Sequence, residues 1–200
     1  MHKAAFIFLS FIYFSLCSQS FEKGTKVFYF GAAASSRYLD INFFKETTEE
    51  YYKSPIIALG LDYCFSTLGE YSNSHLGIGP YISFWHANHH FTDSKNKSWE
   101  NRWTDVLASV RLTHHLTYFI RKRLDVCSGI IIGARYKLYH YIKKQNDELP
   151  QDYYKNQIFP AIGITATCRY YFYRNTGIFI EGSLGYKTDL MMFGLCYKIH

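Results

Sequence analysis

Nine histidines and five cysteines stand among the 200 residues, and they are the groups most able to hold a metal or act as nucleophiles. Their spacing supports neither role. His86, His89 and His90 cluster, and His114 adjoins His115, but no cysteine or carboxylate accompanies them at zinc-ligand spacing. Cys64, Cys127, Cys168 and Cys196 form no CxxC pair, and Cys17 directly follows an N-terminal apolar run. Ser83 and His86 are near neighbours, yet no motif supplies the carboxylate that would orient the imidazole. A phosphate loop, a dinucleotide fingerprint and paired catalytic carboxylates are missing. The basic residues are scattered, with only Arg121-Lys122-Arg123 clustered, so a net charge of +6 leaves no nucleic-acid footprint. The expectation is a non-enzymatic chain with no cofactor, no metal and no nucleic-acid partner.

The chemistry that the spacing does support is electrostatic. Asp62, Asp105, Arg111, Arg135, Lys137, Arg169, Glu181 and Lys198 all fall on one face of segments that alternate with a period of two. Eight such segments are read: 25–34, 54–65, 75–86, 102–114, 125–140, 157–171, 176–184 and 190–199. In the second, Ile57, Leu59, Leu61, Tyr63 and Phe65 oppose Ala58, Gly60, Asp62 and Cys64. In the last, Met191, Phe193, Leu195, Tyr197 and Ile199 oppose Gly194, Cys196 and Lys198. The apolar face carries no Asp, Glu, Lys or Arg within the strand cores. A charge facing lipid at mid-bilayer costs about 2–4 kcal/mol, so this sorting predicts an all-β fold, an eight-stranded antiparallel up-and-down transmembrane β-barrel. A soluble lipocalin-like barrel or sandwich shares the alternation with the faces exchanged.

The rest of the sequence favours the membrane. Mean hydropathy is −0.17 although 48% of residues are hydrophobic, which suits strands with one polar face rather than apolar helices. Aromatic residues make up 20%, and Tyr and Trp suit a membrane interface. His2 and Lys3 precede an apolar run, Ala4 to Leu16, that is too short to span as a helix. Ser18-Gln19-Ser20 places small residues at a cleavage site, so residues 1–20 are read as a signal peptide and 21–200 as the barrel domain. Lipidation at Cys17 fits less well, because Leu16 is bulky where a small residue is needed.

Long connections (35–53, 87–101, 141–156) mostly alternate with short ones (66–74, 172–175), as they do when the two ends of a barrel face different compartments. The long ones carry Phe43, Phe44, Tyr51 and Tyr52, then Trp99 and Trp103, then Tyr153 and Tyr154. These rings are candidate contacts with a host surface or an envelope protein, or else an interface belt. Inside, Arg111, Arg135 and Arg169 alternate with Asp62 and Glu181 as a candidate charge network, with Glu181 opposite Thr167 and diagonal to Arg169. The four mature cysteines are expected to be free, with Cys127 and Cys168 on opposite faces. Pro80 and Pro160 are expected to interrupt the ladder, since proline cannot donate to it.

Three stretches resemble a known family. Ser128-Gly-Ile-Ile-Ile-Gly-Ala-Arg-Tyr136, Ala166-Thr-Cys-Arg-Tyr-Tyr-Phe172 and Asn175-Thr-Gly-Ile-Phe-Ile-Glu-Gly-Ser-Leu-Gly-Tyr186 are similar to the penultimate hairpins of small bacterial proteins with an outer-membrane protein beta-barrel domain. The resemblance covers most of the mature chain and its motifs are architectural. It implies an outer-membrane location, contact with outer-membrane lipid and a monomer. It also implies recognition by the assembly machinery through the closing strand, although that strand ends in Ile199-His200 and Tyr197 is the nearest aromatic. The function expected is a structural or surface-interaction role, adhesive or within the envelope, with the lumen closed by charge. The alternatives are a narrow conduit for small molecules and a soluble lipocalin-like periplasmic carrier.

Overall fold

The computed structural model describes residues 21–34, 50–68, 74–92, 98–116, 123–145, 148–189 and 191–199. The N-terminal segment 1–20, Phe43 and Phe44 lie outside the described residues. Among the described residues nine strands follow one another: β1 (Lys26–Ala34), β2 (Glu50–Lys53), β3 (Ile56–Thr67), β4 (Ser74–Thr92), β5 (Ser98–Leu116), β6 (Leu124–Gln145), β7 (Glu148–Tyr171), β8 (Thr176–Tyr186) and β9 (Met191–Ile199). There is no helix among the described residues.

Every pairing is antiparallel, and each strand from β3 onward pairs with its sequence neighbour. β1 pairs with both β3 and β9, which closes the ring. β2 is the outer continuation of β3. Both pair with β4, and between Lys53↔Ala87 and Ile57↔Phe84 one strand advances four residues while the other advances three, across Ser54-Pro55. The wall therefore has eight members, and no strand edge is left in its body.

Period-two alternation sorts the side chains as the sequence predicts. Phe30, Leu59, Ile132, Ile164 and Leu195 point outward and are more than half exposed. Between them, Asp62, Arg111, Arg169 and Glu181 point inward and are buried. On β3 the outward apolar run from Ile57 to Phe65 covers about 26 Å of strand at ~3.3 Å per residue. A tilt of about 40° turns this into a band roughly 20 Å tall, close to the apolar girdle of a membrane barrel.

The long connections are a point of difference. β4 runs on to Thr92, β5 starts at Ser98, β6 reaches Gln145 and β7 starts at Glu148. Most of 87–101 and 141–156 is therefore paired sheet rather than loop. Above the apolar band both faces of a strand carry polar groups, so the alternation that reveals a strand fades while the backbone pairing continues. The prolines also divide. The β3–β4 ladder omits the two positions opposite Gly79 and Pro80 and resumes at Tyr63↔Ile78 in the same register. The β6–β7 ladder runs straight through Ala134↔Pro160. There β8 has already ended opposite Ile162, so the nitrogen of Pro160 is tolerated at a strand edge.

Candidate functional site: a charged lumen and an aromatic rim

The lumen holds three tiers of buried ions. Nearest the termini, the Arg169 guanidinium is bonded to Asp62 and, through Nη1, to Asp125 Oδ2 at 3.0 Å. His115 Nδ1 lies 2.9 Å from Asp125 Oδ1, and the ring of Phe21 stacks on His115 at 3.7 Å. In the middle tier, Arg111 Nη2 donates to Glu181 Oε2 at 2.6 Å and Nη1 to the Tyr29 hydroxyl at 2.5 Å. Thr167 Oγ1 donates to the same Glu181 oxygen at 2.7 Å. The Tyr29 ring bridges the tiers, with Arg111 Cζ 5.1 Å and Arg169 Cζ 5.6 Å from its centroid. Gly60, the cross-strand neighbour of Tyr29, makes room for that ring: a Cβ there would stand 2.0 Å from Tyr29 Cζ.

The third tier lies at the end opposite the termini, where the long β4–β5 and β6–β7 hairpins extend (the hairpin end). Arg135 Nε donates to Asp105 Oδ1 at 2.7 Å and Nη2 to Asp189 Oδ1 at 2.6 Å. Asp189 Oδ2 also accepts from Tyr81 and Ser83 at 2.7 and 2.6 Å. Asp189 belongs to the connection between β8 and β9. Lys187 turns there with φ 60°, in the left-handed region, and Arg135 Nη1 takes the Lys187 carbonyl at 2.9 Å. The turn is thereby drawn into the mouth. Ions this deeply buried need an opposite charge, and Arg169, Arg111 and Arg135 each meet one, although Asp62 Oδ1, Arg111 Nε and Arg169 Nε are buried without a hydrogen-bond partner.

The structure places Asp62, Arg111, Arg135, Arg169 and Glu181 inward, as the alternation implied, but partners them differently. Glu181 does stand opposite Thr167. Its cation is Arg111, across the lumen, and the diagonal Arg169 turns instead to Asp62 and Asp125. Sequence reading missed Asp125, His115, Tyr29 and Asp189. The parity of β6 carries a signal for Asp125, which shares its face with Arg135. Asp189 lies in a turn and has no periodic signature.

The rim residues separate onto two faces. Trp99 and Trp103 lie on the lumen-side face of β5, where Trp99 meets Tyr141 at 5.1 Å. Trp103 stands between His89 at 6.3 Å and Tyr139 at 5.7 Å. Tyr153 occupies the same face of β7 and is exposed. Tyr154 lies on the opposite face, stacked on His140 at 4.0 Å. Tyr51 and Tyr52 belong to β2, opposite His89 and Asn88, and Tyr52 is exposed. All six stand on strands rather than in the long connections, and Trp103 falls within the segment 102–114 that the alternation already marks as a strand. Cys64, Cys127, Cys168 and Cys196 are free in the structure, with Cys127 inward and Cys168 on the outer face. Among the described residues no group of three or more His, Cys, Asp or Glu could hold a metal ion.

No family model and no curated protein sequence matches the chain. Among solved structures it is similar to Ail, the attachment invasion locus protein of Yersinia pestis, in complex with the heparin analogue sucrose octasulfate. The TM-score is 0.44 and the identity 13%, over 89% of this chain and 100% of that one. A second structure of Ail gives a TM-score of 0.43 at 12% identity, with the same two coverages of 89% and 100%. The N-terminal β-barrel domain of Pseudomonas aeruginosa OprF gives 0.37 at 14% identity, over 89% of this chain and 98% of that one. The architecture itself rests on the closed ring of pairings: the chain is an eight-stranded, antiparallel, up-and-down β-barrel, as its resemblance to the small outer-membrane barrels implied.

Proposed function

We propose that the chain is an outer-membrane barrel whose lumen is shut by its own ion pairs and whose work is surface interaction at the hairpin end. One observation carries this reading: the polarity of the wall is inverted. Phe30, Leu59, Ile132, Ile164 and Leu195 face outward while Asp62, Arg111, Arg169 and Glu181 are buried within. A soluble carrier would bury the first set and solvate the second. In lipid the arrangement is the favourable one, since outward charges there cost about 2–4 kcal/mol at mid-bilayer.

The conduit reading meets three tiers of paired side chains across an eight-stranded interior, which such side chains suffice to fill. Residues 1–20 would then be the export signal, with Phe21 opening the mature chain, and both termini would lie in the periplasm. The barrel would be a monomer inserted by the outer-membrane assembly machinery, with no catalytic role. Host or envelope proteins and glycans would meet it at the hairpins. The test is fractionation of expressing cells followed by gels of unheated and boiled samples. Recovery in detergent-soluble outer membranes with heat-modifiable migration is expected. A buffer-soluble protein with one mobility would refute the proposal.

A further inference from the structure

Above the apolar band, β4 to β7 continue as a sheet whose lumen-side face is lined with rings. Register places Trp103, Tyr139 and Lys155 in one row across β5, β6 and β7. His89, Asn101, Tyr141 and Tyr153 form the next row across β4 to β7. Trp103 meets Tyr139 of its own row at 5.7 Å and His89 of the next row at 6.3 Å, and Trp99, one row further out, meets Tyr141 at 5.1 Å; these five rings are part-exposed, and Tyr153 is exposed. Neighbouring strands lie about 4.8 Å apart, so successive rings in a row are spaced roughly one sugar unit apart. Tyrosine and tryptophan offer an apolar face with a polar edge. That combination suits a pyranose, whose C–H face packs on a ring while its hydroxyls meet amide and phenol groups. Asn101 already accepts a hydrogen bond from the Tyr139 hydroxyl at 3.3 Å, so polar groups are interleaved with the rings.

The charge on this face has one sign in excess. Lys155 is exposed at the end of the first row. Lys137 and Lys187 both hold their ammonium groups over the Phe159 ring, at 5.4 and 5.1 Å. The carboxylates at the mouth, Asp105 and Asp189, are both held by Arg135. We infer that this face binds an anionic oligosaccharide, its sugar rings on Trp103, Tyr139 and Tyr141 and its sulfate, phosphate or carboxylate groups toward Lys155, Lys137 and Lys187. The inference rests on the hairpin end facing outward, as proposed above. The saccharide could come from a host surface or from the lipopolysaccharide core of the same membrane.

The test is titration calorimetry, with tryptophan fluorescence as a second signal, on the folded barrel in detergent. The probes are a chondroitin sulfate hexasaccharide, a phosphorylated lipopolysaccharide core oligosaccharide and neutral maltohexaose. Binding of at least one anionic probe about tenfold tighter than maltohexaose is expected, and the tighter anionic probe identifies the source. Trp103→Ala and Tyr139→Ala should each weaken it about tenfold, as central ring contacts do. Lys155→Gln should weaken it a few-fold and flatten its salt dependence. Heat-modifiable migration of each variant shows that it has folded. Equal binding of neutral and anionic probes, unchanged binding by both ring variants, or no binding by a wild type that fractionates with outer membranes would each overturn the inference while leaving the barrel reading intact. A wild type found soluble in buffer would instead remove the reading beneath it.

Discussion

Arg135 on β6 holds Asp189, a residue of the β8–β9 connection, by a 2.6 Å ion pair inside the barrel mouth. The same guanidinium holds Asp105 of β5, so one side chain ties three parts of the wall together. Asp189→Ala should free the 187–189 turn and leave Tyr81 and Ser83 without their acceptor. Losing hydrogen bonds to a buried charged group costs about 1.5–3 kcal/mol each, less whatever Asp105 retains on Arg135. The expected result is a lower unfolding midpoint in detergent and new conductance steps in planar bilayers. Unchanged conductance would show that the turn does not close the mouth.

Arg111 and Glu181 form the mid-lumen pair, and Arg111 is fully buried. Glu181→Ala leaves that cation without its carboxylate, and breaking a buried pair costs about 3–5 kcal/mol. Replacing both partners, as Arg111→Met with Glu181→Leu, should recover much of the loss, because apolar groups of similar volume need no partner. Urea unfolding of the two single variants and the double variant reads the coupling. Additive losses would mean that the two residues do not depend on each other.

The proposed topology puts the β4–β5 connection outside and the β3–β4 connection in the periplasm. An epitope inserted at Asn96 should label on intact cells, and one at Asn73 only after the outer membrane is permeabilised. The opposite pattern would invert the barrel.

How much of this was legible in advance depends on which face of a strand was speaking. Along Ile57 to Phe65 one face is apolar and the other is not, so period two gave the strand, its sidedness and the inward place of Asp62. Along Trp99 to Arg102 and Lys155 to Asn156 both faces are polar or mixed, so the sequence there reads as loop although the backbone is paired. Pairing across the lumen was beyond reach for a different reason. Neighbour rules reach one strand away, so they brought Glu181 to Thr167 and within range of Arg169. The contact with Arg111 spans 70 residues and crosses the interior. Asp189 has no such signature because a short turn carries no period, and its inward place follows from partners on distant strands, Arg135, Tyr81 and Ser83.

The central claim is that the outward face of the wall is solvated by lipid, and Ile132 reports on it most directly. Its side chain is 59% exposed on β6, between Ile130 and Ala134, and it pairs across the wall with Val110 and Ile162. The measurement is reversible urea unfolding of wild type and Ile132→Arg in lipid vesicles, alongside refolding in buffer without lipid. The wild type should fold only when lipid or detergent is present, and the arginine should lower stability by about 2–4 kcal/mol, as it does near the middle of a bilayer. Folding in plain buffer with no loss from Ile132→Arg would contradict the membrane barrel.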